Sequence, residues 1–403
     1  MTTMVKNGAK FTRRSFLRTA AFTSPAVLSG LAGCGWLAGS ESPGSPSPTA
    51  STETPQTEQN QQQVRTTSDG QYPGLDSVPD PLAVDSSNPL IFLDDQSTDN
   101  YMGELALAMA DSGTANVEGF LLSYPQEVWR GTEEYQRYRE ISVTHHRKVR
   151  EKASESGLDN LPPAEFGVFD HHDKPDSGVI EDTKPIGSEG TDRIVEAARA
   201  ATPETPVVVA AGGDVCTVAD AYLTDPSIAD SLVVYWHEQV IDINEQSGYN
   251  IQNSGWSAYV VLKRLSTALD HNSGGFTITT SEVEERIPAP LSEYMLTKEH
   301  WKWGNPLRST DWSKEGEHEA HDEKALVLAS FPYTRQATKW MTVSGLQEAE
   351  WEYEVSEILP TLSDTAEKSH LVSIPKIDES YRAFWSSWAQ HSRTDTPKAL
   401  AGE

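Results

Sequence analysis

Acidic and amide side chains crowd one short segment of this chain. Three aspartates, Asp94, Asp95 and Asp99, lie within six residues of sequence, and Asn100 follows directly. Carboxylates this close repel one another unless a cation lies among them, and a hard ion such as Ca²⁺ takes about six to eight oxygen ligands of this kind. Alternatively, the same acids cap the next helix, where each gains about 0.3–1 kcal/mol from the helix dipole.

The flanking pattern predicts the elements that position this segment. Residues 90–93 form an apolar run typical of a buried strand, residues 101–110 have apolar residues at helical spacing, and residues 116–122 predict the next strand. A strand–loop–helix–strand unit is typical of a parallel sheet with right-handed crossovers. We therefore expect an α/β fold, with a mostly parallel open sheet and helices on both faces.

The same alternation continues along the chain. Further strands are predicted over residues 206–211, 232–236 and 276–280, and further helices over residues 191–201, 218–223, 254–269, 323–329 and 348–359. In open α/β sheets, ligands bind beyond the carboxyl ends of the strands. The loops to examine are therefore residues 94–100, residues 212–217 and the segment after residue 236.

Two histidine-containing segments are candidates for proton transfer. An imidazole titrates near neutral pH, which suits a general acid, and His321 precedes Asp322. Because residues 317–323 are highly charged, a solvated loop is the alternative for that pair. His171 and His172 form a rival pair, which we interpret as part of a surface loop.

Four segments resemble the nucleoside hydrolase family, in particular its inosine-uridine preferring members. Residues 93–100 resemble the family's Asp-x-Asp-Pro-Gly-x-Asp-Asp, and residues 206–236 resemble its apolar strand, glycine turn, helix, Asp-Pro and next strand. Residues 248–251, Gly-Tyr-Asn-Ile, are similar to the family's Glu-Phe-Asn-Ile. The pair His321-Asp322 with Ala325 is similar to its His-Asp-x-x-Ala.

The resemblance implies hydrolysis of the N-glycosidic bond of ribonucleosides by a calcium-held water. It makes Asp95 the residue that accepts the proton of that water, and His321 the residue that protonates the leaving base. It assigns sugar binding to Asp99, Asn250 and, less directly, Asn244. It assigns Ca²⁺ binding to Asp95, Asn100, the Cys216 backbone carbonyl and Asp322.

The chain also departs from the family pattern. Asn100 replaces a carboxylate, Gly248 replaces a glutamate, and the first motif aspartate falls on Leu93, although Asp94 can take its place after a one-residue shift. These departures keep open a non-catalytic lipoprotein that binds a nucleoside or sugar. An acidic cell-surface interaction protein without a small ligand is a third possibility.

The first 87 residues predict export and tethering. Residues 12–17, Thr-Arg-Arg-Ser-Phe-Leu, are similar to a twin-arginine signal, and residues 31–34 resemble a lipobox that ends at Cys34. We expect a signal over residues 1–34, a lipid on Cys34 that anchors the exported chain to the outer face of the membrane, a disordered Ser/Pro/Thr/Gln-rich tether over residues 35–87, and a folded domain over residues 88–403. A simple cleaved signal with an incidental cysteine is the alternative.

The charge balance limits the partners. Hydrophobic residues make up 37% of the chain, which is enough for a core. The net charge is -28, so the surface must be acidic. Such a surface repels phosphate backbones, so we expect a small-molecule partner and no nucleic acid. The balance suits a salt-rich habitat, although an ordinary acidic protein would also show it. The family resemblance further implies a homo-oligomer.

Overall fold

A computed structural model describes most of the chain beyond residue 77. The described ranges are residues 66–67, 70–71, 78–95, 102–124, 133–238, 249–270, 276–297, 317–320, 322–348 and 358–378. The strands are β1 (Thr66–Thr67), β2 (Gly70–Gln71), β3 (Leu90–Asp94), β4 (Val117–Leu122), β5 (Ala164–Phe166), β6 (Val207–Ala211), β7 (Leu232–His237), β8 (Ser266–Asp270), β9 (Phe276–Thr279), β10 (Glu317–Ala320), β11 (Arg335–Gln336), β12 (Lys339–Glu348), β13 (Ile358–Asp364), β14 (Leu371–Ile374) and β15 (Lys376–Ile377).

Nine of these strands form one open sheet. Its order is β13-β12-β14-β8-β7-β6-β3-β4-β5, and the seven strands from β14 to β5 are parallel. Strand β12 is antiparallel to both of its neighbours. The central strands are buried along their whole length, which explains why they are continuous apolar runs in the sequence.

Helices cover both faces of this sheet. They are α1 (Met102–Ser112), α2 (Glu133–Glu155), α3 (Glu189–Ala200), α4 (Cys216–Thr224), α5 (Tyr249–Asn253), α6 (Gly255–Arg264), α7 (Thr280–Arg286), α8 (Leu291–Met295) and α9 (Glu323–Ser330). Because side chains alternate along a strand, Leu90 and Phe92 pack with α1, α2 and α9, whereas Ile91 and Leu93 pack with α3, α4 and α6. The predicted α/β architecture is confirmed.

Three predicted elements are wrong in part. The helix predicted over residues 254–269 ends at Arg264, and β8 follows it, because a buried apolar run has no period that separates helix from strand. The described ends of the helix predicted over residues 348–359 belong to β12 and β13, where antiparallel pairing overrides local helix propensity. The strand predicted over residues 276–280 exists as β9, but it pairs with β10 in a separate sheet.

The last residues of the predicted tether pack against the domain. Val84 is buried in one of the two cores, the Tyr235 hydroxyl donates to the Pro81 carbonyl, and the Ser266 hydroxyl donates to the Pro79 carbonyl. Residues 1–65, including Cys34, lie outside the described residues, so the predicted signal and lipid anchor stay predictions. Among the helices that are described, no helix has the length and apolar composition needed to cross a membrane.

Candidate functional site

The strand order creates a crevice at the carboxyl ends of β3 and β6. From β3 the chain continues outward through β4 and β5, whereas β6, β7 and β8 extend in the opposite direction. This reversal is a topological switch point, and open α/β sheets bind their ligands there. Asp94 and Asp95 end β3 on one side of the crevice, and Gly212 and Gly213 follow β6 on the other.

Polar residues line up along this edge of the sheet. Leu93 pairs with Ala211, and Ala211 pairs with Trp236. The residues that follow them, Asp94, Gly212 and His237, therefore fall in one row across the sheet. The row continues to Asp270, which pairs with His237. Neighbouring strands are separated by about 4.8 Å. The register therefore places Asp94, at the end of β3, in the same row as the buried His237 and Asp270.

Three carboxylates converge at the crevice. One oxygen of each of Asp94, Asp95 and Asp322 lies within 4.8 Å of the other two, and none of these residues is more than 6% exposed. Asp322 lies at the N-cap of α9, but its side chain makes no capping hydrogen bond. Their mutual repulsion would be offset by a cation, and carboxylate oxygens are the ligands that Ca²⁺ and Mg²⁺ prefer. The described donor set therefore fits a hard divalent cation.

The Asp95 carboxylate packs directly against the backbone of Gly213. A Cβ atom at residue 213 would lie 2.1 Å from Asp95 Cγ and 2.6 Å from its Oδ2. Only a glycine leaves room for the acid. The Gly213 carbonyl accepts a hydrogen bond of 2.7 Å from Trp236 Nε1, so the turn that supports Asp95 is itself anchored to β7.

Helix α5 is hydrogen-bonded to the residues that end β6 and β7. Asn250 Nδ2 donates to the Gly212 carbonyl at 3.0 Å and to the His237 carbonyl at 2.8 Å. The Ile251 backbone N–H donates to Glu238 Oε2 at 2.8 Å. The structure thus places Asn250 beside the crevice and gives both of its amide hydrogens a structural partner.

A further buried acid lies in the loop after β6. Asp214 accepts the Cys216 backbone N–H at 2.7 Å and the Ser123 hydroxyl at about 3 Å. Burial raises the pKa of Asp214 to about 7, although these hydrogen bonds act in the opposite direction. Cys216 begins α4, and burial also raises the pKa of its thiol. The carbonyl of a first helical residue faces its own helix, so metal binding by the Cys216 carbonyl stays a prediction.

A buried network that joins the ends of β7 and β8 to α9 was not predicted from the sequence. His237 Nδ1 lies 2.7 Å from Asp270 Oδ2, and Lys324 Nζ lies 3.7 Å from the same oxygen. All three residues are at most 1% exposed. His237 directly follows the predicted strand over residues 232–236, which was a usable signal. Asp270 gave none, because β8 was taken for the end of a helix.

The interpretation of residues 171–173 as a surface loop is wrong for its histidines. His171 and His172 are buried, and His172 lies 3.0 Å from Asp220 Oδ1 through Nε2 and 3.1 Å from Ser257 Oγ through Nδ1. Burial alone would raise the pKa of Asp220, but hydrogen bonds from His172 and Thr191 outweigh it and lower that pKa. These histidines are buried because the loop packs on α4 and α6.

The predicted site is therefore assembled in part. The structure brings together Asp95 and Asp322, adds Asp94 to them, and places Asn250 at the neighbouring strand ends. The other predicted site residues, Asp99, Asn100, Asn244 and His321, lie outside the described residues. Their assigned roles stay predictions.

No family model matches this sequence, and no curated protein matches it. Among solved structures, the chain is similar to an inosine-uridine preferring nucleoside hydrolase from Bacillus anthracis, at 10% identity and a TM-score of 0.48, over 75% of this chain and 99% of that one. It is also similar to a purine-preferring ribonucleoside hydrolase from Gardnerella vaginalis, at 13% identity and a TM-score of 0.49, over 76% and 99%. A plant nucleoside hydrolase matches at 12% identity and a TM-score of 0.47, over 76% and 98%. Likenesses this weak leave the chemistry to be derived from the side chains of the site.

Proposed function

We propose that this chain hydrolyses the N-glycosidic bond of ribonucleosides and releases a base and ribose. The observation that carries the proposal is the meeting of Asp95 and Asp322. The family resemblance assigns these two acids to one ion, and they come from distant parts of the sequence. In the fold their carboxylate oxygens lie within 4.8 Å of each other and of Asp94, at the topological switch point.

The residues that would hold a divalent ion are Asp94, Asp95 and Asp322, with Asn100 and the Cys216 carbonyl added by the resemblance. Ca²⁺ is the ion we propose, because the donors are all oxygens and Ca²⁺ tolerates irregular coordination by carboxylates, amides and carbonyls. When bound, such an ion would polarise a water oxygen and orient the hydroxyl groups of the sugar.

The side chains would then divide the work of the reaction. A water oxygen forms a bond to the anomeric carbon while the bond from that carbon to the base nitrogen breaks, and the bonding electron pair leaves with the base. Asp95 accepts the proton that the water loses, and His321 donates a proton to the departing base. Asp99, Asn244 and Asn250 are the proposed contacts to the sugar.

The electrostatics of the crevice favour this reaction. Cleavage of a glycosidic bond passes through a transition state with positive charge on the sugar ring. Buried carboxylates near that ring stabilise the developing charge more strongly than water does, because the effective dielectric constant at a buried site is lower. The same negative charge disfavours a phosphorylated substrate, so we propose nucleosides in preference to nucleotides.

The direct test measures base release from inosine, uridine and adenosine by the purified full chain, with added Ca²⁺ and with a chelator. We expect calcium-dependent release from at least one of them, and none from an Asp95→Ala variant. Asp176→Ala, which alters an exposed acid, is the matched control and should behave as the wild type. Retained turnover in Asp95→Ala would refute the catalytic assignment.

One second candidate is supported by the sequence. Gly248 stands where the family has a glutamate, and Asn100 stands where it has a carboxylate. Each change removes a carboxylate from the family pattern, which favours a lipoprotein that captures a nucleoside or sugar without cleaving it. Calorimetric binding of the same nucleosides without base release would support this candidate over hydrolysis.

We also propose that the chain acts outside the cytoplasm, attached by a lipid on Cys34. The twin-arginine and lipobox patterns in residues 12–34 support this placement. A Cys34→Ala variant should move from the membrane fraction to the soluble fraction. Equal membrane association of the variant and the wild type would contradict the anchor.

A further inference from the structure

Asn253 is a buried amide whose hydrogen-bonding capacity is unused. It is 1% exposed, and neither its Nδ2 nor its Oδ1 has a hydrogen-bond partner within the part of the chain that the structure describes. Folded proteins pair the large majority of their buried polar groups, so an amide with both ends unpaired needs a specific explanation.

The position of Asn253 connects it with the crevice. It ends α5 three residues after Asn250, and residues at this spacing lie on the same face of a helix. Asn250 faces the carbonyls of Gly212 and His237 at the ends of β6 and β7. The face shared by the two asparagines is therefore turned toward the strand ends, where Gly213 supports Asp95.

The two asparagines differ in what they can offer a ligand. Both amide hydrogens of Asn250 are donated to backbone carbonyls, whereas Asn253 keeps its donors and its acceptor. A carboxamide presents a donor and an acceptor side by side, which matches two adjacent hydroxyl groups of a sugar. Burying such a group without a partner lowers stability, so a ligand that restores the hydrogen bonds would bind with a gain in free energy.

We propose that Asn253 is a sugar-binding residue, whose carboxamide hydrogen-bonds the vicinal hydroxyl groups of the ribose. This inference rests on the proposed function, because it takes the ligand to be a ribonucleoside. It makes Asn253 a residue that discriminates ribonucleosides from their deoxy analogues, since a site built to bind a hydroxyl leaves its own polar group unpaired when the hydroxyl is missing.

The test compares Asn253→Leu, which keeps the size of the side chain and removes its polar atoms, with the wild type. The substrates are uridine, 2′-deoxyuridine and 3′-deoxyuridine. We expect the variant to lose about 10- to 100-fold in kcat/KM for uridine. The loss should be much smaller for one of the two deoxy analogues, because that analogue lacks the hydroxyl group that Asn253 would bind. Ser330→Ala is the matched control, because it removes another buried polar group that has no partner among the described residues, at the far end of α9.

Thermal unfolding separates this role from a structural one. The polar atoms removed by Asn253→Leu have no hydrogen-bond partner among the residues that the structure describes, so the Tm without ligand should not fall. If the leucine variant fails to fold, Asn253→Ala takes its place in the same comparison. A variant that loses the same factor on all three substrates, or on none, would overturn the proposal.

A wild type without turnover would end the proposed function but still leave the role of Asn253 testable. In that case D-ribose should raise the Tm of the wild type and not that of the Asn253 variant. Absence of any ribose-dependent shift in the wild type would then overturn the Asn253 proposal as well.

Discussion

Replacement of Gly213 by alanine is the sharpest test of how the crevice is built. The new Cβ atom would lie 2.1 Å from Asp95 Cγ, whereas ordinary contacts begin at 3.4 Å, so the carboxylate must move by about 1.3 Å. The backbone at residue 213 is outside the left-handed region, so alanine itself is tolerated there. The steric conflict therefore acts on Asp95 and leaves the fold intact.

A displacement of this size is large for a catalytic group. Misplacement by about 1 Å costs on the order of 100-fold in rate. We therefore expect Gly213→Ala to lower kcat/KM for the best nucleoside substrate by about 100-fold and to weaken Ca²⁺ binding, because Asp95 is one of the three converging carboxylates. Base release and calorimetric Ca²⁺ titration measure the two effects.

Gly345→Ala is the control for the general effect of removing a glycine. A Cβ atom at residue 345 would lie 3.5 Å from Thr361 Oγ1, which is an ordinary contact, so this variant should keep both Ca²⁺ affinity and turnover. Wild-type Ca²⁺ affinity and turnover in Gly213→Ala would show that Asp95 is not held against Gly213, and would refute the geometry on which the proposed site depends.

Three further predictions concern single titratable side chains. Asp322→Asn removes one of the three converging carboxylates and should weaken Ca²⁺ binding, measured by calorimetry, by at least about 10-fold. The control Asp230→Asn alters an exposed acid and should keep the wild-type Ca²⁺ affinity. Equal Ca²⁺ affinities of Asp322→Asn and the wild type would contradict a shared ion. Asp270→Asn disrupts a buried ion pair and should lower the free energy of unfolding in urea by about 3–5 kcal/mol, while Asp364→Asn, in a mostly exposed pair, should leave it almost unchanged. Burial lowers the pKa of His146 from 6.5 to about 3, so the stability it contributes above pH 6.5 is lost as the pH falls toward 3. His146→Gln should therefore flatten the pH dependence of the urea midpoint in that window, and an unchanged slope would show that another group causes it.

The sequence departs from the family pattern at Leu93, where the family has an aspartate. Asp94, which follows Leu93, lies in the cluster with Asp95 and Asp322, and its assignment to the family's first aspartate stays a prediction. The buried network of His237, Asp270 and Lys324 lies along the same edge. Within this network the positive Lys324 side chain lies 3.7 Å from the Asp270 carboxylate and offsets the charge of that buried acid.

The sequence by itself determined the central sheet. Residues 206–211 and 232–236 are apolar without alternation, because β6 and β7 are covered by helices on both faces, and this environment leaves a direct mark on composition. The acids after Leu93 were recognisable for a related reason. A polar cluster directly after a buried strand has to lie at the edge of a sheet.

Only the tertiary structure decided which polar groups meet. The contact of Asp95 with Gly213, the pair of His237 and Asp270, and the antiparallel extension by β12 all depend on strand order and register. Those features arise from packing between segments that are far apart in sequence, whereas local patterns report only burial and period. The buried amide of Asn253, which has no partner among the described residues, is the clearest case, because nothing in its neighbouring residues distinguishes it from Asn250.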